Sequence, residues 1–195
     1  MRQYFDSPLA DGLIVPQAAV SPGVTTNTNL LTTSQANKYL PLPYGQNAPS
    51  PGQVFKITVG GLCTTVAGTN TFTVYHGGGT APTSFGLAIA ASSALTTVAA
   101  TAGNWLLEGI LTYRAISELV SASTVWFIGK IIINGPSSGT VAPVIGLIQS
   151  TAAVATADTT GTAAAGLFGA MNVAVNESVT ASTWTTEFGF IESLN

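Results

Sequence analysis

Asn104-Trp105-Leu106-Leu107-Glu108-Gly109-Ile110-Leu111-Thr112-Tyr113-Arg114-Ala115-Ile116-Ser117 is the stretch on which the fold turns. Read in steps of two, Trp105, Leu107, Leu111, Tyr113 and Ala115 fall on one side, with Gly109 a gap in the series. Glu108, Thr112 and Arg114 fall on the other side, among Leu106, Ile110 and Ile116. Successive side chains of an extended chain leave on opposite faces, so a two-residue period held this long marks a β-strand. The second face mixes charge with large apolar groups, which predicts a strand exposed on at most part of one face.

Downstream, Thr124-Val125-Trp126-Phe127-Ile128-Gly129-Lys130-Ile131-Ile132-Ile133 reads as the partner of that strand, with Glu118 to Ser123 as the connection, giving a long hairpin. Asn134-Gly135-Pro136-Ser137-Ser138-Gly139 is a turn cluster. Val144 to Gln149 and Ala152 to Ala157 follow as shorter strands, then a small-residue loop from Asp158 to Gly166. Phe168 to Val175, a turn near Asn176-Glu177-Ser178, and Thr183 to Ile191 close the chain. In the last strand an unbroken alternation puts Trp184, Thr186, Phe188 and Phe190 on one face.

Upstream, Val54 to Val59 is a β-branched run closed by Gly60-Gly61, and Thr71 to His76 is another closed by Gly77-Gly78-Gly79. Phe85 to Ala90 and Leu95 to Ala100 are diluted by alanine and serine; the Ala/Ser-rich span Ala88 to Ala102 reads as strand or loop. About eight strands spaced by turns predict an all-β, jelly-roll-like β-sandwich over residues 53–195.

Residues 1–52 differ in composition. They hold seven of the ten prolines, which fix φ and remove backbone donors, so neither a long helix nor a central strand is expected there. Leu13, Ile14, Val15, Leu30, Leu31, Tyr39, Leu40 and Tyr44 are apolar anchors that a solvated tail has no use for. The reading is an extended, proline-rich N-terminal arm that orders by lying along another surface.

Charged residues make up 7% of the 195, against about 25% in an ordinary soluble domain, while hydrophobic residues reach 46% and mean hydropathy is +0.44. So few charges leave little to repel neighbouring molecules, which suits a chain covered by partners. The net charge is −3, and Arg2, Lys38, Lys56, Arg114 and Lys130 are scattered, so the basic stripe that nucleic-acid binding needs is missing. The uncharged stretches Gly77 to Leu107 and Ile131 to Ala157 are interrupted by polar residues, Gly and Pro, so no membrane-spanning helix is expected. The amino-terminal residues lack the basic-then-apolar pattern of a secretory signal.

Groups able to do chemistry are few. Cys63, the single cysteine, lies in Gly61-Leu62-Cys63-Thr64-Thr65 with no basic neighbour and reads as a small buried hydrophobe. His76, the single histidine, precedes three glycines, but the segment lacks a P-loop lysine and a following helix, so it reads as a strand end. One His and one Cys cannot furnish a protein-only zinc site, and Asp158 has no companion in a D-x-D pattern for calcium. Glu108 and Glu187 are the mid-strand acids; Glu108 shares its face with Arg114, is within reach of Lys130 across the hairpin, and reads as a cross-strand ion pair on a solvated face. No catalytic residue, cofactor or metal is expected. Trp105, Trp126, Trp184, Phe188 and Phe190 are read as core or subunit interface.

The hairpin Asn104 to Arg114, the run Gly169-Ala170-Met171-Asn172-Val173-Ala174-Val175 and the tail Phe188-Gly189-Phe190-Ile191-Glu192 carry a resemblance. Over roughly Gln53 to Asn195 the chain resembles the small jelly-roll structural proteins of tailed bacteriophages, which include capsid decoration (cement) proteins and fibre modules. Shared traits are a long Trp-containing central strand, Thr/Ala/Gly-rich loops and a closing aromatic strand. The resemblance implies a virion structural protein on the capsid surface, a homotrimer bound to the major capsid protein, with no nucleic-acid or membrane partner. The alternative it implies is a fibre or adhesion module whose loops bind a host glycan or protein receptor.

Overall fold

The computed structural model describes residues 19–24, 26–31, 40–41, 51–76, 87–115, 123–135, 142–151, 154–156 and 170–194. The protein is all-β. Its strands are β1 (Thr28–Asn29), β2 (Leu40–Pro41), β3 (Val54–Thr65), β4 (Gly68–His76), β5 (Leu87–Ser92), β6 (Leu95–Thr97), β7 (Ala100–Ala115), β8 (Ser123–Asn134), β9 (Val144–Gln149), β10 (Val154–Thr156), β11 (Ala170–Glu177) and β12 (Thr183–Ser193). They form one antiparallel sheet in the order β1-β11-β4-β5-β9-β8-β7-β3-β12, with β10 on β8, β2 on β11 and β6 on β4.

This sheet curls until its two halves face each other across a shared core, as in a sandwich. Trp184 of β12 meets Phe72 of β4 edge to face with ring centroids 5.3 Å apart, and Trp105 of β7 meets Trp184 at 6.3 Å. β4 and β12 are far apart in the strand order, so the Phe72–Trp184 pair joins opposite walls, whereas Trp105 and Trp184 meet along one wall across the intervening β3. The inward series Trp105, Leu107, Leu111 and Tyr113 is buried, as the two-residue period predicts, and faces Val125, Phe127, Ile131 and Ile133 of β8. The gap at Gly109 is filled from its neighbour: a Cβ there would lie 2.2 Å from the Phe127 ring.

Three expectations change. Gly60-Gly61 does not close the first strand; β3 runs on to Thr65. Space explains this, because a Cβ on Gly60 would collide with the Phe188 ring at 2.6 Å and one on Gly61 with the Thr185 carbonyl at 1.9 Å. In β12 the register shifts between Thr186 and Phe188. A bulge inserts one residue and reverses the alternation beyond it, so Trp184 and Thr186 point in with Ile191, whereas Phe188 is exposed. Ala88 to Ala102 resolves as strand, split among β5, β6 and the start of β7.

The third change concerns the arm. Val20 pairs with Trp184 on β12 through two backbone hydrogen bonds of 2.8 and 2.9 Å, while Thr28–Asn29 pairs with Val175 and Ala174 of β11. β12 ends one side of the sheet and β11 lies at the other, so residues 20–24 and 26–29 strap the two ends of the curled sheet together. Leu30 and Leu31 then enter the core at 2% and 0% exposure. Asn29 shapes that entry by accepting the Leu31 N–H on its side chain at 2.8 Å, a local turn typical of Asn. Leu40–Pro41 adds a short pairing to β11. The described part of residues 1–52 is thus knit into the sandwich, and an open edge that would invite other strands is covered.

Candidate interaction face

The chemistry-bearing side chains are placed in the interior and apart. His76 is buried, and its Nε2 hydrogen-bonds the Tyr113 hydroxyl across the sandwich, with the two rings edge to face. Cys63 is buried, and burial pushes its thiol up to about 12, far from the thiolate form that reacts. Among the described residues, no group of three His, Cys, Asp or Glu side chains converges as a metal site would require. Asp158 and the glycines at 77–79 lie outside the described residues. A cleft lined by Thr65, Thr97, Val98, Ala100, Ile133 and Val144 has a volume of about 10 Å³, room for a single water.

One polar cluster sits at an end of the core. Asn70 and Glu177 are cross-strand partners on β4 and β11. Trp184 Nε1 donates to Glu177 Oε1 at 2.8 Å, and Asn70 Nδ2 donates to Thr97 Oγ1 at 2.8 Å. Glu177 Oε2 and Asn70 Oδ1 are buried without a protein partner. Through its bond to Glu177 this cluster anchors the Trp184 indole.

The surface tells more. The outward faces of β12, β3, β7, β8 and β9 are contiguous, and their register sorts the side chains into rows. One row runs Phe188, Gly60, Leu106, Ile132, Ile145. The next runs Phe190, Thr58, Glu108, Lys130, Leu147, and the third Glu192, Lys56, Ile110, Ile128, Gln149. Trp126 stands beyond the third row, opposite Thr112. Large apolar side chains on this face are well exposed, with Ile145 at 64%, Leu147 at 54%, Phe188 at 40%, and Trp126 and Ile128 close behind. Phe188 and Phe190 stack with centroids 6.5 Å apart, and the Phe188 ring lies over Gly60. At the centre Lys130 Nζ lies 3.2 Å from Glu108 Oε2, the cross-strand ion pair expected from the hairpin. Exposed apolar side chains gathered on one sheet face make it the candidate interaction face of the described residues.

The residues singled out in the sequence therefore divide. Trp105 and Trp184 are core; Trp126 and Phe188 are exposed on the outer face, and Phe190 is half-buried there. Leu30 and Leu31 are spent on this chain's own core and have no surface left for a capsid partner, because the curled sheet needs its open end filled. Leu40 pairs through its backbone with Met171. Leu13, Ile14, Val15, Tyr39 and Tyr44 lie outside the described residues. Sequence reasoning missed Leu62, Ile128, Ile145 and Leu147 as surface groups. The available signal was in β8, where the positions between Val125, Phe127 and Ile131 are Trp126, Ile128, Lys130 and Ile132, too apolar for a solvated face. Comparison of the chain with protein-family models, with curated proteins and with solved structures finds no match.

Proposed function

We propose that this chain is a virion structural protein, a capsid decoration (cement) protein that binds and stabilises a phage head lattice. The observation that carries the reading is the outer sheet face: a rigid, largely apolar surface with one ion pair at its centre, on a chain with 7% charged residues. A sandwich strapped shut by its own N-terminal segment is a stiff building block, and stiff blocks lose little entropy when they dock. Repetition over a lattice turns a modest contact into high avidity. The anchors left for the major capsid protein are Leu13, Ile14, Val15, Tyr39 and Tyr44, together with the oligomeric β body; Leu30 and Leu31 are withdrawn from that set.

The test is co-sedimentation of the purified chain with tail-less phage heads, counting copies bound per head. Saturable binding at a number that matches the shell lattice supports a cement protein on the capsid surface. Absence of head binding, or a stoichiometry fitting one vertex, overturns it and moves the reading to a fibre or adhesion module that binds a host receptor.

A further inference from the structure

We propose that the outer face of β3, β7, β8 and β9, with the Phe188 ring of β12 lying over β3, docks on the same face of a second copy of this chain, about a twofold axis parallel to the strands and midway between β7 and β8. The proposal goes beyond the head-binding reading: it assigns the same outer face to a second copy, as the oligomeric β body, and leaves the capsid contact to the anchors within residues 1–52.

Size is the first argument. The four strands that overlap about this axis, spaced ~4.8 Å apart and ~10 residues long at ~3.4 Å each, give about 650 Å² per copy. A pair would bury about 1,300 Å², within the range of standard stable protein interfaces.

Complementarity is the second, and it selects the axis. Rotation about a line between β7 and β8 sets β7 over the partner's β8 and β3 over the partner's β9, with each row of side chains over itself. Leu106 then opposes the partner's Ile132, and Ile110 the partner's Ile128. Phe188, lying over Gly60, opposes the partner's Ile145. In the central row Glu108 opposes the partner's Lys130 and Lys130 the partner's Glu108, so the two ion pairs close into a ring of alternating charge. The other in-plane axis, perpendicular to the strands through the same row, would set Glu108 over Glu108 and Lys130 over Lys130. Like charges pressed together in a desolvated interface are strongly unfavourable, so that arrangement is rejected. Two sheets stacked face to face at the usual distance of ~10 Å also match ordinary sandwich packing.

An isologous twofold pairing of this kind is the commonest closed assembly of identical chains. It differs from the threefold that the phage resemblance implies, and the central row of the face chooses between them: its charges are complementary to themselves.

The test is the mass of the full chain in solution by sedimentation equilibrium, up to about 0.1 mM. The wild type is expected to be dimeric. Glu108→Lys and Lys130→Glu, each alone, make the centre of the face a single sign and should weaken the dimer about 100-fold or more. Mixing the two variants in equal amounts should restore dimer mass, because each face then meets its opposite. Ile145→Ser, a change at the 64% exposed edge that leaves the core intact, should weaken the dimer with the far-UV spectrum unchanged. A wild-type monomer throughout, a trimer mass, charge variants that stay dimeric alone, or folded charge variants that fail to pair when mixed would each overturn the proposal. Head co-sedimentation is read separately, so a failure here leaves the cement reading standing and the reverse also holds.

Discussion

The β7–β8 hairpin carries two apolar faces that differ in consequence. Trp105, Leu107, Leu111, Tyr113, Val125, Phe127, Ile131 and Ile133 fill the inner one and are buried. Leu106, Ile110, Trp126, Ile128 and Ile132 populate the outer one, and there a single ion pair, Glu108 with Lys130, interrupts the apolar rows. By apolar content alone the two faces look alike. They differ in what lies opposite: the inner face meets β4 and β11 of the same chain, whereas the outer face meets nothing in this chain among the described residues. The inner face is covered by the chain itself, whereas, if the outer face is covered as proposed, its ion pair marks that cover as a separable partner. Stability should track the first face and association the second.

The largest effect expected from that contrast is at β12, where the bulge puts two aromatic residues on opposite sides of one strand. Trp184→Ala removes a ring packed on Phe72 and Trp105 and strands the Glu177 carboxylate, and should cost about 3–5 kcal/mol of folding stability. Phe188→Ala, on the outside, should cost about 1 kcal/mol or less when measured on the monomer. Urea denaturation of both variants checks the pair. Equal losses would mean that the outer aromatic residues also belong to the fold and would erase the distinction.

Next in size is the strap. Leu31→Ala should cost about 2–4 kcal/mol, because its side chain is fully buried and the cavity left behind is closed on all sides. The same denaturation experiment decides it. Were residues 28–31 an arm reserved for a capsid partner, stability of the isolated chain would not change.

A third effect is confined to the inner side of β3. Burial raises the Cys63 thiol from 9.0 to about 12, so the folded chain holds its proton where the unfolded chain has lost it. The unfolded state then binds fewer protons, and stability contributed by this group is present below about pH 9 and falls through pH 12. The slope is up to about 1.4 kcal/mol per pH unit. Cys63→Ala should flatten the alkaline limb of the stability profile relative to wild type, and the native thiol should resist alkylation at pH 8. Rapid alkylation of the folded chain would show that the inner face is open to solvent.

The strands were legible because their periods are long: β7, β8, β9 and β12 stand where the alternation of Trp105, Phe127, Ile148 and Trp184 puts them. What could not be read was whatever depends on a distant contact. Gly60-Gly61 looks like a terminator until the Phe188 ring and the Thr185 carbonyl are brought over it. The reversal at Phe188 depends on one inserted residue, Glu187, which no local pattern announces. Leu30-Leu31 looks like an external anchor because the gap it fills exists only after the sheet has curled. The outer face was half legible: its members on β7 were visible, but the register that aligns them with Ile145 and Leu147 is a tertiary fact.

The smallest effect sharpens the comparison most. Lys130 is half exposed and Glu108 about a third, so their pair sits in a high-dielectric setting in the monomer and gains little over hydration. Glu108→Gln should therefore change monomer stability by no more than about 1 kcal/mol, and 1 M salt should shrink even that difference by screening the wild-type pair. The check is denaturation at low protein concentration, with and without salt, since any dimer would add its own linked stability. A loss well above that range, insensitive to salt, would mean that the pair is part of what folds the sheet. A near-zero loss in the monomer leaves association as the role of the ion pair at the centre of this face. On that outcome folding does not account for the pair, and the self-complementary register proposed for a second copy does.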